Sequence, residues 1–355
     1  MTRLLFTAFL GSLAALIGCS AAQAAQPADK SATRPATNPA LHRFEYHALK
    51  MGSDFNLVFY APDQSAADAA RDAVYARVDA LTMVLSDYEA ESEISRLNHR
   101  THDGPMTQPV AVSDDLWNVL IASKTAYEQS GGAFDITVGP LVQLWKRSRR
   151  QQEVPTPERI ADTRASIGFD KVKLDAAHHT VMLTAAKMRL DVGGIATGYI
   201  SDDCLQLLKK RGIARALIDG SGDVAIGDPP PGRKGWRIAI QSLMKPNEAA
   251  AYVELANCGI STSGDTYRFV EIDGVRYSHI VDPKTGLGLT RRIGSTVIAP
   301  NDLTADWMAT AVCVLGPEKG MELIEKTPGV AARITTLEGE QAQVAKSKRY
   351  FEQSP

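Results

Sequence analysis

Apolar residues recur at helical spacing in one long early segment. Ala70, Val74, Val78, Leu81 and Leu85 fall on one face, behind a Ser65-x-x-Asp68 capping box. Three more helices are marked by their ends. Ser113 precedes Asp114 and Asp115, and Gly131-Gly132 closes that run. Thr156-Pro157-Glu158 opens another, with proline at the first helical position. A fourth begins near Gly198 and stops at Lys209-Lys210-Arg211-Gly212, cations followed by a glycine stop. Between these, short β-branched or alternating runs predict strands at 44–50, 56–60, 172–174, 181–184, 216–219, 236–241, 252–255, 266–272, 275–281 and 292–299. Asp273-Gly274 suits a type I′ hairpin turn, which places His279 on the second strand of that hairpin. The irregular order predicts an α+β fold with mixed or antiparallel sheets and packed helices. Two closely packed lobes are expected, connected near residues 148–157.

The first 40 residues break this pattern. MTRLLFTAFLGSLAALIGCS joins a basic start at Arg3 to an apolar run from Leu4 to Ile17. That run has the length of a signal-peptide core and is short for a bilayer span. Leu16-Ile17-Gly18-Cys19 resembles the bacterial lipobox, in which the cysteine is lipidated and becomes the first mature residue. Ala22-Gln23-Ala24 offers the competing cleavage site of ordinary secretion. The expectation is an exported protein: residues 1–19 a signal peptide with lipobox, 20–40 a disordered tether, 41–355 the folded domain. It would face the periplasm, held to the membrane through Cys19 or, with the alternative cleavage, soluble there.

Cysteine use and charge narrow the chemistry. Cys204, Cys258 and Cys313 lie in unrelated contexts, with no CxxC and no histidine at zinc spacing, so neither a disulfide framework nor a zinc site is expected. A formal charge of -2 and the lack of a basic run interleaved with aromatics argue against a nucleic-acid partner. The basic patch from Lys146 to Arg150 reads as a solvated helix end or as a contact for an anionic partner.

Four clusters of glycine and small polar residues interrupt the elements: 131–135, 191–198, 219–223 and 261–265, each beside an acidic residue. Each alone reads as a turn; together they suit close approach of backbone N–H groups to an anionic ligand. None has the P-loop or dinucleotide-fold spacing. The cluster at 191–198 ends where a helix begins, with Thr197 as a candidate cap and phosphate contact. In Thr304-Ala305-Asp306-Trp307-Met308-Ala309-Thr310, with Thr304 as N-cap, Asp306 and Thr310 share a face. Their oxygens suit Mg²⁺ or Ca²⁺, although an acidic residue near a helix start also answers the helix dipole. Tyr88, in Ser86-Asp87-Tyr88-Glu89, either stacks on a flat ring or packs over a helix end. His279, followed by Asp282-Pro283-Lys284-Thr285-Gly286, either belongs to a polar hairpin end or forms one wall of a site for a phosphorylated ligand.

Taken in order, these segments resemble the ApbE family of flavin transferases. The resemblance runs from about Phe44 to Gly316 and rests on seven blocks. They are Met51-Gly52-Ser53; Ser86-x-Tyr88 with the following Ser92-Glu93-Ile94-Ser95; Gly131 to Leu141; Asp191-x-Gly193-Gly194-Ile195-Ala196-x-Gly198-Tyr199; Ser263-Gly264-Asp265; His279-Ile280-x-Asp282-Pro283-x-Thr285-Gly286; and Asp306-x-x-Ala309-Thr310. The resemblance implies transfer of FMN from FAD to a Ser or Thr of an exported acceptor, such as a subunit of a membrane redox complex, with Mg²⁺ and release of AMP. It further implies that Met51, Tyr88, Ala133, Phe134, Asp135, Gly193, Thr197, Thr262, Ser263 and Ile280 line the FAD site. Asp306, Thr310 and the Ala196 carbonyl would hold the metal, and His279 would position the pyrophosphate or accept a proton. The family version carries a lysine where this chain has Thr197. FAD hydrolysis to FMN and AMP, or FAD binding by a non-catalytic lipoprotein, are the alternative readings.

Overall fold

The computed structural model describes residues 40–351, apart from 246, 247 and 340; the expected signal peptide, Cys19 and tether up to residue 39 lie outside the described residues. Eight strands form one antiparallel sheet: β1 (His42–Lys50), β2 (Ser53–Ala61), β6 (Ala216–Gly220), β7 (Asp223–Ile226), β10 (Cys258–Gly264), β13 (Arg292–Ala299), β14 (Ala331–Glu338) and β15 (Gln341–Lys346), in that spatial order. Smaller sheets pair β3 (Val110–Ala111) and β4 (Val172–Asp175) with β5 (Thr180–Leu183), β8 (Trp236–Gln241) with β9 (Ala249–Leu255), and β11 (Phe269–Ile272) with β12 (Val275–Ser278). The helices are α1 (Gln64–Leu85), α2 (Glu93–His99), α3 (Asp114–Gln129), α4 (Gly139–Gln151), α5 (Pro157–Arg164), α6 (Ala196–Lys210), α7 (Asp302–Leu315) and α8 (Pro317–Lys326). The α+β expectation holds.

The expected face of α1 is buried as read, Ala70, Val74, Val78, Leu81 and Leu85 all entering the main core. Its cap differs. Asp63, not Ser65, accepts the Ala66 N–H at 2.8 Å, and Asp68 is instead bonded to Tyr46 and Arg71. Ser113 and Thr156 cap α3 and α5 as expected. The stretch 148–157 contains the end of α4 and a short link to α5, and the described residues from Ala40 onward form one compact unit.

Three features of the large sheet position the site. The cluster at 219–223 is the tight β6–β7 turn, with Ser221 and Gly222 at φ 59° and 101°; the left-handed conformation at both central residues matches the twist of a two-residue hairpin. The cluster at 261–265 is not a turn but the end of central strand β10, flanked by β7 and β13. Helix α7 packs on β10 and β13 and against α6, so the start of α6 and the body of α7 meet over the middle of the sheet.

Candidate active site

The oxygen pair suggested for a cation lies on α7. Asn301, not Thr304, caps this helix by accepting the Thr304 N–H at 2.9 Å. Asp306 therefore falls in the second turn, where it is only 3% exposed and its Oδ2 accepts the Gly198 N–H of α6 at 3.1 Å. Thr310 follows one turn later, with Oγ1 3.0 Å from Ser263 Oγ on β10. Gly194 fits against Thr310 and Phe134 so closely that an added Cβ would lie 3.3 and 3.2 Å from them, and the Phe134 ring tilts against Trp307.

Two contacts fix α6 to α7. Asp202 of α6 accepts the Asp302 and Leu303 N–H groups at 3.0 and 2.8 Å. Gly198 meets the backbone of Asp302, where a Cβ would sit 2.5 Å from the carbonyl oxygen. Helix α6 itself starts at Ala196 after Ile195 with no side-chain cap, so Thr197 is inside the first turn and packs on Gly220 instead of capping.

The charge around Asp306 is one-sided. Burial first, then the Asp223 carboxylate, push its pKa well up, and no cationic side chain pairs with it among the described residues. Asp223 accepts the Ser261 hydroxyl at 2.5 Å and is itself pushed up to about 7, chiefly by burial, with the Arg268 guanidinium pulling the other way. A buried carboxylate without a counter-charge is costly, and a divalent cation is the partner this one lacks. No three His, Cys, Asp or Glu side chains among the described residues cluster closely enough to form a metal site alone. A cation held by Asp306 thus depends on Thr310, on backbone carbonyls such as that of Ala196, and on water or phosphate oxygens. That donor set fits Mg²⁺ and excludes the nitrogen and sulfur ligands of zinc.

His279 forms a second wall. It follows β12 directly instead of lying within it, because pairing stops at Ser278. Its backbone N–H and its Nδ1 both reach the Arg268 carbonyl, at 2.9 and 3.0 Å. A carbonyl only accepts, so Nδ1 carries the proton and Nε2 keeps a free lone pair. His279 is exposed as a residue, yet the neighbouring segments enclose its ring enough to strip water from it. That enclosure pushes its pKa down to about 4; the Arg268 and Arg149 guanidinia push the same way, against the Arg268 carbonyl and the Asp265 carboxylate. His279 is neutral at pH 7.

The rest of that motif is scaffolding. Asp282 accepts the Lys284 N–H at 2.8 Å and the Thr285 hydroxyl at 3.2 Å, closing a turn. Gly286, at φ 77°, presents its carbonyl to the Trp145 indole N–H of α4 at 2.9 Å. Asp265, 2% exposed, holds Arg276 and Arg292 at 2.8 Å each and so braces the β11–β12 hairpin that delivers His279.

Other expected ligand residues are spread along the surrounding elements. Met51 occupies the β1–β2 turn at φ 53°, a left-handed value that is uncommon outside glycine. Tyr88 is 79% exposed, with the Lys146 ammonium 4.1 Å from its ring centroid. Ala133 and Phe134 are buried, while the Asp135 carboxylate is taken up by the Thr137 N–H and hydroxyl at 2.8 and 2.6 Å. Gly193 is exposed and donates its N–H to Asp191 at 3.0 Å. Thr262 pairs its hydroxyl with Thr296, and Ile280 is buried beside His279. Residues not assigned from the sequence are Asp202, Asp223, Arg268 and Arg149. The acidic flank of the 219–223 cluster and the basic patch at 146–150 were the visible signals among them.

A model of the ApbE family matches residues 51–334, a span that takes in both walls of the site. The chain belongs to the ApbE family. An FAD:protein FMN transferase of Klebsiella pneumoniae is 33% identical over 94% of this chain and 92% of its own length, and one of Escherichia coli K12 is 31% identical over the same shares. Among solved structures, the flavin transferase ApbE from Vibrio cholerae superposes with a TM-score of 0.78 at 27% identity, covering 87% of this chain and 98% of that one. The apo flavinyl transferase ApbE of Pseudomonas stutzeri gives 0.76 at 31% identity, over 87% and 95%. These ApbE structures share the mixed helical and antiparallel architecture described above.

Proposed function

We propose that this ApbE-family chain transfers FMN from FAD to a Ser or Thr hydroxyl of an acceptor protein, with release of AMP. The observation that carries the chemistry is a neutral His279 whose Nε2 is left free by the Nδ1 hydrogen bond to Arg268. The acceptor oxygen attacks the flavin-side phosphorus of the diphosphate, and its proton passes to Nε2. A P–O bond forms as the P–O bond to AMP breaks, AMP leaving with the electron pair.

Asp306, Thr310 and the Ala196 carbonyl are the residues that would hold Mg²⁺. When bound, Mg²⁺ supplies charge neutralisation of the bridging phosphate oxygens. The surrounding glycines let backbone approach the diphosphate, and Tyr88 offers an exposed ring face to the isoalloxazine. Met51, Phe134, Gly193, Thr262, Ser263 and Ile280 complete the FAD-binding surface in this reading.

The N-terminal sequence extends the proposal to location. With residues 1–19 a lipoprotein signal and Cys19 the anchor, the folded body works outside the cytoplasm. The acceptor is then an exported flavoprotein such as a subunit of a membrane redox complex. The test follows AMP release and the intact mass of a candidate acceptor, using protein without residues 1–39. An FMN-sized mass gain coupled to AMP supports transfer. AMP without an adduct on any acceptor supplied points to hydrolysis, and FAD retention without AMP to a binding protein.

A further inference from the structure

Two cations beside His279 have no task in the chemistry above. The Arg268 and Arg149 side chains are both exposed, and neither guanidinium has a hydrogen-bond or ion-pair partner among the described residues. Arg268 is tied to the histidine through its own backbone, since its carbonyl takes both His279 N–H groups. Arg149 arrives on α4. Trp145, one helical turn earlier on the same face, donates to the Gly286 carbonyl, and its ring lies 4.9 Å from that of Tyr277. The face of α4 that carries Arg149 is therefore turned toward the segment that holds His279.

The opposite wall carries negative charge. Asp223 and Asp306 place two carboxylates there, and Thr197 contributes no charge at the start of α6. Arg268 directly precedes β11 with its carbonyl bonded to His279, and its charge acts on both Asp223 and His279. Asp265, the remaining charged group facing the histidine, is already held by Arg276 and Arg292.

We propose that Arg268 and Arg149 form an anion clamp that holds the diphosphate of FAD in register with His279 Nε2. The inference rests on the transferase reading above. Both are positioning residues, and their charge adds to the burial that holds the imidazole neutral. A guanidinium suits the role because its planar fork bonds two phosphate oxygens at once.

The test compares Arg268→Ala, Arg149→Ala and Arg268→Lys. Arg268→Ala retains the backbone carbonyl, so the His279 tautomer is preserved. Affinities for FAD and for riboflavin, which has no phosphate, are measured separately, together with the pH profile of AMP release. Each alanine variant is expected to lose FAD affinity roughly tenfold or more, with riboflavin binding unchanged. The acid limb of the profile should move to higher pH, because removing a cation eases protonation of His279. Lysine should restore part of both effects. Equal losses for FAD and riboflavin, or unchanged FAD affinity and pH profile, overturn the clamp. If the unmutated protein fails to bind FAD, the transferase reading falls instead, and the clamp with it.

Discussion

The Asp306 carboxylate of α7 accepts the Gly198 N–H of α6 at 3.1 Å, in a place where no side-chain cation among the described residues answers its charge. An asparagine would keep that hydrogen bond and remove the charge. Asp306→Asn should therefore leave the metal-free protein as stable as before, or more so, since an unpaired buried carboxylate is costly. Stabilisation by Mg²⁺ should vanish. A cation at a hundred times its Kd stabilises by about 2.7 kcal/mol, so thermal unfolding with and without Mg²⁺ separates the two proteins. Equal Mg²⁺ stabilisation in both would remove Asp306 from the metal site.

Tyr88 is a surface residue by its exposure, and its one ring contact of note is the Lys146 ammonium. Tyr88→Ala should change stability by no more than about 0.5 kcal/mol. The affinity for riboflavin and FAD should fall together, by roughly 0.5–1.5 kcal/mol. Flavin fluorescence titration against both ligands measures this, and undiminished affinity would rule out stacking.

Gly198 leaves no room for a side chain, because a Cβ would sit 2.5 Å from the Asp302 carbonyl oxygen. Gly198→Ala should push α6 from α7, costing roughly 1–3 kcal/mol and weakening Mg²⁺ binding in the same variant. Denaturant unfolding and a metal titration report the two losses. Loss of stability without loss of Mg²⁺ affinity would show that the α6–α7 contact does not shape the cation site.

Asp202 supplies a pH signature. Burial, opposed by the two N–H groups it accepts, pushes its pKa up to about 6. The folded state then holds this proton more tightly than the unfolded chain, so its stabilising contribution is full below about pH 4 and is lost as pH rises toward 6. Asp202→Asn should remove that slope. The difference in Tm between variant and parent should shift in favour of the variant across this interval and level off above it. A constant difference from pH 4 to 7 would contradict the assignment.

Periodicity made α1 legible, because five apolar residues on one face leave few other packings, and Asp273-Gly274 marked its hairpin for the same local reason. The β10 strand was hidden. Ser261, Thr262 and Ser263 look like loop residues until their hydroxyls are matched with Asp223, Thr296 and Thr310, each from a different element. Caps were ambiguous where two candidates stood close together, as with Asn301 and Thr304. In the site, the motif blocks pointed to Asp306, Thr310 and His279. The basic patch around Arg149 was legible as a candidate anion contact, but its link to His279 was not, because the two lie 130 residues apart and are connected through Trp145 and Gly286. Asp282 and Asp265 were legible as motif members, yet their carboxylates brace the scaffold.

The order of strands in the large sheet governs how the molecule comes into being. β2 completes its second edge only with β6, pairing residues 55–59 with residues 216–220, and β7 must then wait for β10. Such long closures are slow, and neither half of the sheet has a finished core to fold around. A chain cut near residue 150 should yield two inert fragments rather than two lobes. During synthesis, the two walls of the site can meet only after β13 and α7 have appeared.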